Sequence, residues 1–144
     1  MGKSSIRGNE YQTKVNFGDC DPAGIVFYPN FYRWMDQSTH HYFTALGHPT
    51  SHLVMKEKIG MPIVEAKCQF HSPLLFDDIV TIHSTIIEMK NKVFTINHDF
   101  YKDGKKVAGG YEVRVWCDMS SENMKAVTIP NDIRNAINHT ESLV

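Results

Sequence analysis

Asp19 and Asp21 lie two residues apart in the segment 17–30, whose sequence is FGDCDPAGIVFYPN. Gly24 allows the backbone to turn sharply after Asp21, and an amphipathic segment begins at Pro29. The start of a helix offers free backbone N–H groups and a partial positive charge, which can stabilise an oxyanion. A carboxylate beside such an oxyanion site suits acyl transfer, in which a nucleophile or general base acts on a carbonyl group.

The same segment also has the composition of an ordinary turn. An Asp that precedes a Pro and lies near a Gly often closes an Asx turn or caps a helix, so the pattern alone favours a structural Asp21. A Ser or Cys nucleophile is less well indicated, because the sequence has no G-x-S-x-G motif. Cys20 lies between Asp19 and Asp21, whose negative charges would disfavour its thiolate.

The overall composition excludes several classes of protein. The chain has 144 residues and a formal net charge of -1, so we expect one domain over residues 1–144 and no binding of nucleic acid or membranes through bulk charge. Its apolar runs are too short to span a membrane, and its first residues lack the apolar core of a signal peptide. These features predict a cytoplasmic protein.

Neither the histidines nor the cysteines predict a metal site. His48 and His52 are four residues apart, but Pro49 argues against a regular helix there and no third ligand is close in sequence. The cysteines lack C-x-x-C spacing, so neither a disulfide nor a zinc site is expected. Their predicted role is small buried apolar filler, and they are Cys20, Cys68 and Cys117.

The elements that must position these residues follow from hydrophobic periodicity. Helical spacing predicts one long helix from Pro29 to Leu46, with Gly47 as its stop. A period of two then predicts consecutive antiparallel strands, with an Asp103-Gly104 hairpin turn. The predicted strands are 13–17, 64–71, 79–89, 93–101, 106–119 and 126–129, and short helices are expected at 51–58 and 130–138. This order of elements is typical of an α+β fold.

One helix can cover only one face of such a sheet. The other face is expected to be mixed, with apolar side chains among polar ones. Its apolar members would be Ile87, Phe94, Ile96, Phe100 and Trp116, and its polar members His83, His98 and Arg114. The aromatic content of this face predicts a homo-oligomer in which part of this face, or the edge of the sheet, meets another subunit.

The run FGDCDPAGIVFYPNFYRWMD at residues 17–36 resembles the signature of the 4-hydroxybenzoyl-CoA thioesterase family. The likeness continues through MPIV at 61–64, the acidic pair at 77–78, KNK at 90–92 and KAVTIP at 125–130. The resemblance implies the hotdog fold, in which an antiparallel sheet wraps around one long helix. It also implies homodimers or homotetramers with active sites at the dimer interface. No cofactor is implied, since coenzyme A is part of the substrate.

The resemblance implies a role for individual residues. Asp21 would be the catalytic carboxylate, as nucleophile or as general base, and Asp19 would be structural. The backbone N–H of Tyr28 would polarise the thioester carbonyl. The acyl pocket would be lined by Met61, Pro62 and Ile63, and the nucleotide end of coenzyme A would be held by Lys90, Lys92 and Lys125.

Three functions are therefore open. The first is hydrolysis of an acyl-CoA thioester, whose acyl group could be aromatic and close to 4-hydroxybenzoyl. The second is a hotdog protein that binds acyl-CoA or a protein partner without hydrolysis, because fold does not fix function. The third is a dehydratase, which would require a catalytic histidine, and the candidates are His71, His83 and His98.

Overall fold

The computed structural model describes residues 8–138 of the chain. Its elements in chain order are β1 (Gly8–Lys14), α1 (Pro29–Ala45), α2 (Thr50–Met55), β2 (Ile59–Gly60), β3 (Ile63–Phe70), β4 (Ile79–Met89), β5 (Val93–Lys102), β6 (Lys105–Val115), β7 (Cys117–Asp118), β8 (Lys125–Ala126) and α3 (Asn131–Ile137). Five strands form an antiparallel sheet in the order β1-β4-β5-β6-β3, and a small sheet has the order β2-β7-β8. None of the described helices is long and apolar enough to cross a membrane.

Helix α1 packs across the main sheet. Pro29 occupies its first turn, where the missing N–H costs nothing. At the other end Gly47 has a φ of 90°, and the N–H of His48 donates to the carbonyl of Phe43, which closes a Schellman motif. The buried face of the helix consists of Phe31, Trp34, Met35, Ser38, Thr39, Tyr42 and Phe43. A sheet wrapped around this one long helix is the hotdog arrangement, so the predicted α+β fold is confirmed.

The face of the sheet under α1 is not the one predicted. Phe94, Ile96 and Phe100 are fully buried beneath the helix together with His98. Trp116 and Arg114 are buried too, whereas Ile87 and His83 are exposed. The alternation grouped the residues of β5 correctly, but it did not identify which face the helix covers, and it wrongly grouped Ile87 and His83 of β4 with the buried residues.

The opposite face of the sheet is mainly polar, although Ile79 and Ile87 of β4 are exposed. Its side chains on β4 and β5 include Thr81, His83, Asn97, Asp99 and Tyr101. The aromatic side chains Phe94, Phe100 and Trp116 are buried, so this face gives no argument for an oligomer. The predicted alternative, the edge of the sheet, has exposed apolar side chains on β3, namely Ile63, Val64 and Phe70.

The long strands have the predicted bounds to within a few residues. β4 spans Ile79–Met89 as predicted, and β5 and β6 are joined by the predicted turn. Asp103 and Gly104 have φ values of 50° and 76°, so both adopt the left-handed conformation that a tight hairpin requires. The strand predicted over 106–119 is broken, because Trp116 leaves the main sheet and residues 117–118 join the small one.

Two predicted strands are displaced. The first lies at Gly8–Lys14 rather than at 13–17, and residues 17–19 form a single 3₁₀ turn. A capping box between Asn16 and Asp19 stabilises that turn and ends the strand. The last short strand lies at Lys125–Ala126 rather than at 126–129. All three cysteines are free, and Cys68 and Cys117 are buried as predicted.

Candidate active site

Asp21 lies in a tight turn between the 3₁₀ turn and α1. One oxygen of its carboxylate accepts a hydrogen bond from the N–H of Ala23 at 2.9 Å, which is the Asx turn that the sequence suggested. The carbonyl of Asp21 accepts from the N–H of Gly24, whose φ of 86° favours glycine. Asp21 is half-buried, so its carboxylate is both held in place and accessible.

A cleft of about 460 Å³ opens beside this carboxylate. Its wall is mostly apolar, and the rings of Phe17 and Phe76 meet edge to face with their centroids 5.7 Å apart. Phe17 is 78% exposed and Phe76 is 52% exposed. Large apolar side chains so open to solvent, next to an accessible carboxylate, mark a surface that binds a ligand or another subunit.

Asp19 has the contacts of a structural residue. Its carboxylate is buried, accepting from the N–H of Asn16 at 2.8 Å and from Nη2 of Arg33 at 2.6 Å. Its carbonyl accepts from the N–H of Phe27 and from Nδ2 of Asn30. Asp19 therefore binds the loop to the first turn of α1.

The backbone N–H of Tyr28 lies at the start of α1. Neighbouring N–H groups are used within the protein, since Phe27 donates to Asp19, Asn30 donates to Phe27 and Phe31 donates to Tyr28. Among the described residues, no acceptor is found for the N–H of Tyr28. A free donor at the positive end of a helix is suited to bind a developing oxyanion.

The Met61 segment lies in a different cavity of about 310 Å³. Met61 and Pro62 line it together with Val54, and His40, Thr50 and Arg114 contribute polar groups to its wall. Ile63 is exposed on β3 and does not line this cavity. The cavity is thus mainly apolar with a few polar groups, which is the usual composition of a small-molecule site.

A buried polar network that the sequence did not predict supports this cavity. Arg114 donates to the carbonyl of Met61 and to the carboxylates of Asp36 and Glu112, at 2.8–2.9 Å. Glu112 also accepts from the hydroxyl of Thr39. Behind it, His98 is fully buried between Ser84 and Thr39. The available signal was two opposite charges at alternate positions near the end of β6, with Val113 between them, which places both charges on one face.

The network perturbs two carboxylates. Burial alone would raise the pKa of Glu112, but hydrogen bonds with His98 and Arg114 outweigh burial, and the net shift of the pKa is downward. A hydrogen bond with His40 lowers the pKa of Asp36 well below its usual range, against partial burial and with the help of Arg114. Both carboxylates are therefore charged partners of Arg114 at neutral pH.

Lys90 and Lys92 lie in the turn that connects β4 to β5, and both are exposed. Lys125 is exposed on β8, where it pairs in register with Asp118. A hydrogen bond with Ser120 lowers the pKa of Asp118, and the charge of Lys125 lowers it further. Part of the charge of Lys125 is therefore balanced by Asp118, whereas Lys90 and Lys92 form no ion pair with another residue of the described part of the chain.

One chain does not bring all predicted site residues together. Ile63 pairs with Arg114, and Val93 pairs with Val115, so the Met61 segment and the Lys90–Lys92 turn lie at one end of the sheet. The Asp21 loop lies at the opposite end, where the ring centroid of Tyr28 is 6.3 Å from that of Phe70. The seven steps of β3 from Ile63 to Phe70 correspond to about 23 Å.

The chain matches known proteins over most of its length. Residues 15–137 match the model of the thioesterase-like superfamily. The 4-hydroxybenzoyl-CoA thioesterase of Pseudomonas sp. (strain CBS-3) is 34% identical over 128 residues, which are 84% of this chain and 91% of that protein. A 1,4-dihydroxy-2-naphthoyl-CoA hydrolase of Prochlorococcus marinus is 30% identical over 129 residues, which are 86% of this chain and 85% of that protein.

Solved structures agree with the sequence relatives. A gentisyl-coenzyme A thioesterase is 50% identical with a TM-score of 0.81, covering 90% of this chain and 98% of that one. A 4-hydroxybenzoyl CoA thioesterase with an aspartate replaced by asparagine, in complex with 4-hydroxybenzoyl CoA, is 33% identical with a TM-score of 0.84, covering 91% and 99%. With its hotdog architecture and this extent of similarity, the chain belongs to the thioesterase-like superfamily.

Proposed function

We propose that this protein is an acyl-CoA thioesterase that hydrolyses aromatic thioesters of coenzyme A to the free acid and CoA. The observation that supports this best is that one loop carries both the accessible carboxylate of Asp21 and, at the start of α1, the N–H of Tyr28, for which residues 8–138 provide no acceptor. Relatives named for 4-hydroxybenzoyl-CoA, gentisyl-coenzyme A and 1,4-dihydroxy-2-naphthoyl-CoA support the class of substrate.

In the proposed reaction the thioester carbonyl oxygen accepts a hydrogen bond from the N–H of Tyr28. As general base, Asp21 takes a proton from a water molecule while the water oxygen attacks the carbonyl carbon. The N–H of Tyr28 stabilises the oxyanion until the C–S bond breaks and CoA leaves as a thiolate. The thiolate then takes the proton from Asp21, which restores the carboxylate. As nucleophile, the Asp21 carboxylate would instead attack the carbonyl carbon and displace CoA as a thiolate, which forms an anhydride. Water would then hydrolyse the anhydride to the free acid and restore the Asp21 carboxylate. A thiolate is a good leaving group, so a strong general acid is not required.

The acyl group that fits best is aromatic with polar substituents. Met61, Pro62 and Val54 offer apolar contacts for a ring. The two ring nitrogens of His40 are bound by Thr50 and Asp36, and the hydroxyl of Thr50 can make a further hydrogen bond to a polar group of the ring. The three relatives named above act, by their names, on hydroxylated aromatic acyl groups.

We further propose that a second copy of the chain completes the site. β3 is an edge strand, and seven of its eight residues are exposed, including Ile63 and Val64. An exposed apolar edge is normally covered or paired. If two copies of β3 pair in antiparallel fashion, the start of one strand lies against the end of the other. The partner's Met61 segment and Lys90–Lys92 turn would then lie near Asp21. This homodimer would be the smallest assembly with complete active sites, and two such dimers could form a homotetramer.

The cysteines favour a reducing compartment as the place of this reaction. All three are free, and burial raises the pKa of the Cys68 thiol to about 11, which keeps it protonated and unreactive. Free buried thiols are typical of proteins in the cytoplasm, where we place this enzyme.

A thiol-release assay tests the proposed function. The panel contains 4-hydroxybenzoyl-CoA, gentisyl-CoA, 1,4-dihydroxy-2-naphthoyl-CoA and two straight-chain acyl-CoAs. We expect turnover of the aromatic thioesters, with kcat/KM well above that for the straight chains, and loss of turnover in Asp21→Asn. Binding of these thioesters without release of thiol would identify a non-catalytic acyl-CoA-binding protein and would refute the proposal.

A further inference from the structure

The turn between β4 and β5 is held by a residue of the last helix. Nη2 of Arg134 donates to the carbonyl oxygens of Lys90 at 2.7 Å and Asn91 at 2.8 Å. Nε of the same guanidinium donates to the carbonyl of Ile129 at 2.9 Å. The N–H of Ile129 in turn donates to the carbonyl of Asn91. One guanidinium therefore ties the turn to α3 and to the segment that precedes it.

The third carbonyl of this turn is also bound. The carbonyl oxygen of Lys92 accepts a hydrogen bond from the N–H of Trp116 at 2.8 Å. Every carbonyl of residues 90–92 is thus bound by the body of the protein, while the side chains of Lys90 and Lys92 are exposed. The backbone from which both ammonium groups project is fixed in position.

We infer that Arg134 is a positioning residue for the nucleotide end of acyl-CoA, acting through Lys90 and Lys92. This inference rests on the proposed function, which assigns these lysines to the phosphate groups of coenzyme A. Lysine is a flexible point charge, so anchoring its backbone reduces the ordering that phosphate binding requires. The guanidinium also covers carbonyl oxygens whose negative ends would repel an approaching phosphate. Sequence patterns did not reveal this role, because the contact joins segments far apart in the chain.

Through Lys90 and Lys92, the Arg134 contacts act on the nucleotide end of acyl-CoA. That end of the substrate takes no part in bond making or bond breaking at the thioester. A phosphate contact contributes equally to binding of substrate and transition state, so its loss should change KM and leave kcat unaltered. A purely structural role of Arg134 would affect every substrate alike.

The experiment compares 4-hydroxybenzoyl-CoA with 4-hydroxybenzoyl-pantetheine, which has the same thioester but no nucleotide. Arg134→Met keeps the aliphatic stem and removes the donors, and Arg134→Lys keeps the charge. We expect Arg134→Met to raise KM for the CoA thioester by about tenfold, with kcat unchanged and both constants for the pantetheine thioester unchanged. Arg134→Lys should show a smaller rise of KM. The inhibition constant of free CoA should rise in parallel.

Several results would overturn the inference. One is an unchanged KM for the CoA thioester in Arg134→Met, and another is an equal loss on both thioesters, which would indicate only a structural role. If Lys90→Ala/Lys92→Ala also left KM unchanged while hydrolysis persisted, the nucleotide would bind elsewhere and Arg134 would have no such role. If the parent hydrolysed neither thioester, the proposed function would fail. Calorimetry with free CoA would then test the role of Arg134 by itself. Equal affinity of the parent and Arg134→Met for CoA would contradict the inference.

Discussion

Arg33 and Asp19 form an ion pair in which Nη2 and Oδ1 lie 2.6 Å apart. Asp19 is buried and Arg33 is one turn into α1, so the pair joins the helix to the loop just before Asp21. Nε of Arg33 also donates to Oδ1 of Asn30, and Nδ2 of Asn30 donates to the backbone carbonyl of Asp19. The candidate carboxylate and the candidate oxyanion donor are thereby fixed relative to each other.

Replacement of Asp21 by asparagine should abolish most of the hydrolysis. The amide has the same shape and can still accept the N–H of Ala23, so the turn should persist, but the group that attacks carbon or accepts a proton is lost. We expect kcat to fall by about a hundredfold to ten-thousandfold for a general base, and by more for a nucleophile. Single-turnover thiol release, with binding of 4-hydroxybenzoyl-CoA as the check on folding, measures this.

Asp19→Asn is the matched control for that variant. Loss of the buried charge beside Arg33 should lower the free energy of unfolding by about 1–3 kcal/mol, because a charged hydrogen bond is weakened. The folded fraction should keep most of its kcat. An inactive but folded Asp19→Asn, together with an active Asp21→Asn, would show that the two roles are reversed.

Simultaneous replacement of Lys90 and Lys92 by alanine should weaken substrate binding. We expect a rise in KM for acyl-CoA of about fivefold to twentyfold with little change in kcat, because two exposed phosphate contacts are lost. Added salt should raise KM in the parent and have less effect in the double variant. A fall in kcat at constant KM would contradict the assignment of these lysines.

Mixed oligomers should show whether two copies share each site. The Asp21→Asn variant and the Lys90→Ala/Lys92→Ala variant should each have low activity at low acyl-CoA concentration. When their subunits exchange, a mixed dimer has one intact site, made of Asp21 from the lysine variant and the two lysines from Asp21→Asn. With full exchange, about a quarter of all sites should be intact, and activity should rise accordingly. If each chain supplied its own carboxylate and its own lysines, mixing would restore nothing.

The edge strand offers an independent check of the same dimer. Val64 is 63% exposed and follows Ile63 at the start of β3, so a charge there should prevent pairing of the two edges. Val64→Asp is expected to run as a monomer near 16.5 kDa in light scattering, while the parent runs as a dimer or tetramer. A parent that is monomeric at micromolar concentration would refute the shared site.

Glu112 should be important for stability rather than for turnover. Glu112→Gln leaves Arg114 buried with only Asp36 as a charged partner, and we expect a loss of about 2–4 kcal/mol in the free energy of unfolding. Urea denaturation measures this. Glu10→Gln, which removes an exposed ion pair with His83, is the control and should cost at most about 0.5 kcal/mol.

Asp36 should contribute stability that depends on pH. Its pKa in the folded protein is below its unfolded value of about 3.9, so the charged form stabilises the fold above that pH. The contribution is lost as the pH falls through about 4 towards the lower folded value. Because the side chain is nearly half exposed, solvent screening should limit the effect to about 1 kcal/mol. The difference in unfolding free energy between the parent and Asp36→Asn should therefore shrink on acidification below pH 4.

The sequence predicts those features that are local. The long helix follows from its apolar spacing and Gly47, and the 103–104 turn follows from its Asp-Gly pair. The end of the first strand is also a local feature, yet its prediction is wrong, because alternation extends the strand through Asn16, whose capping box with Asp19 in fact ends it.

Features that depend on tertiary contacts could not be predicted. The charges of Glu112 and Arg114 resemble those of a solvent-exposed face until Thr39 and Asp36 of α1 are placed opposite them. Likewise, Arg134 is an ordinary helix residue until the fold brings it to the Lys90–Lys92 turn. Alternation defines the two faces of a strand, and only packing determines which of them is the interior.

The separation of the Asp21 loop from the Lys90–Lys92 turn by the length of β3 has a kinetic consequence. In a lone chain, the carboxylate of Asp21 and the lysines that would bind the nucleotide are too far apart to act on the same acyl-CoA molecule. The specific activity would then depend on protein concentration, because only the dimer would have complete sites. It should decline on dilution through the dissociation constant of the pair, and it should recover on concentration.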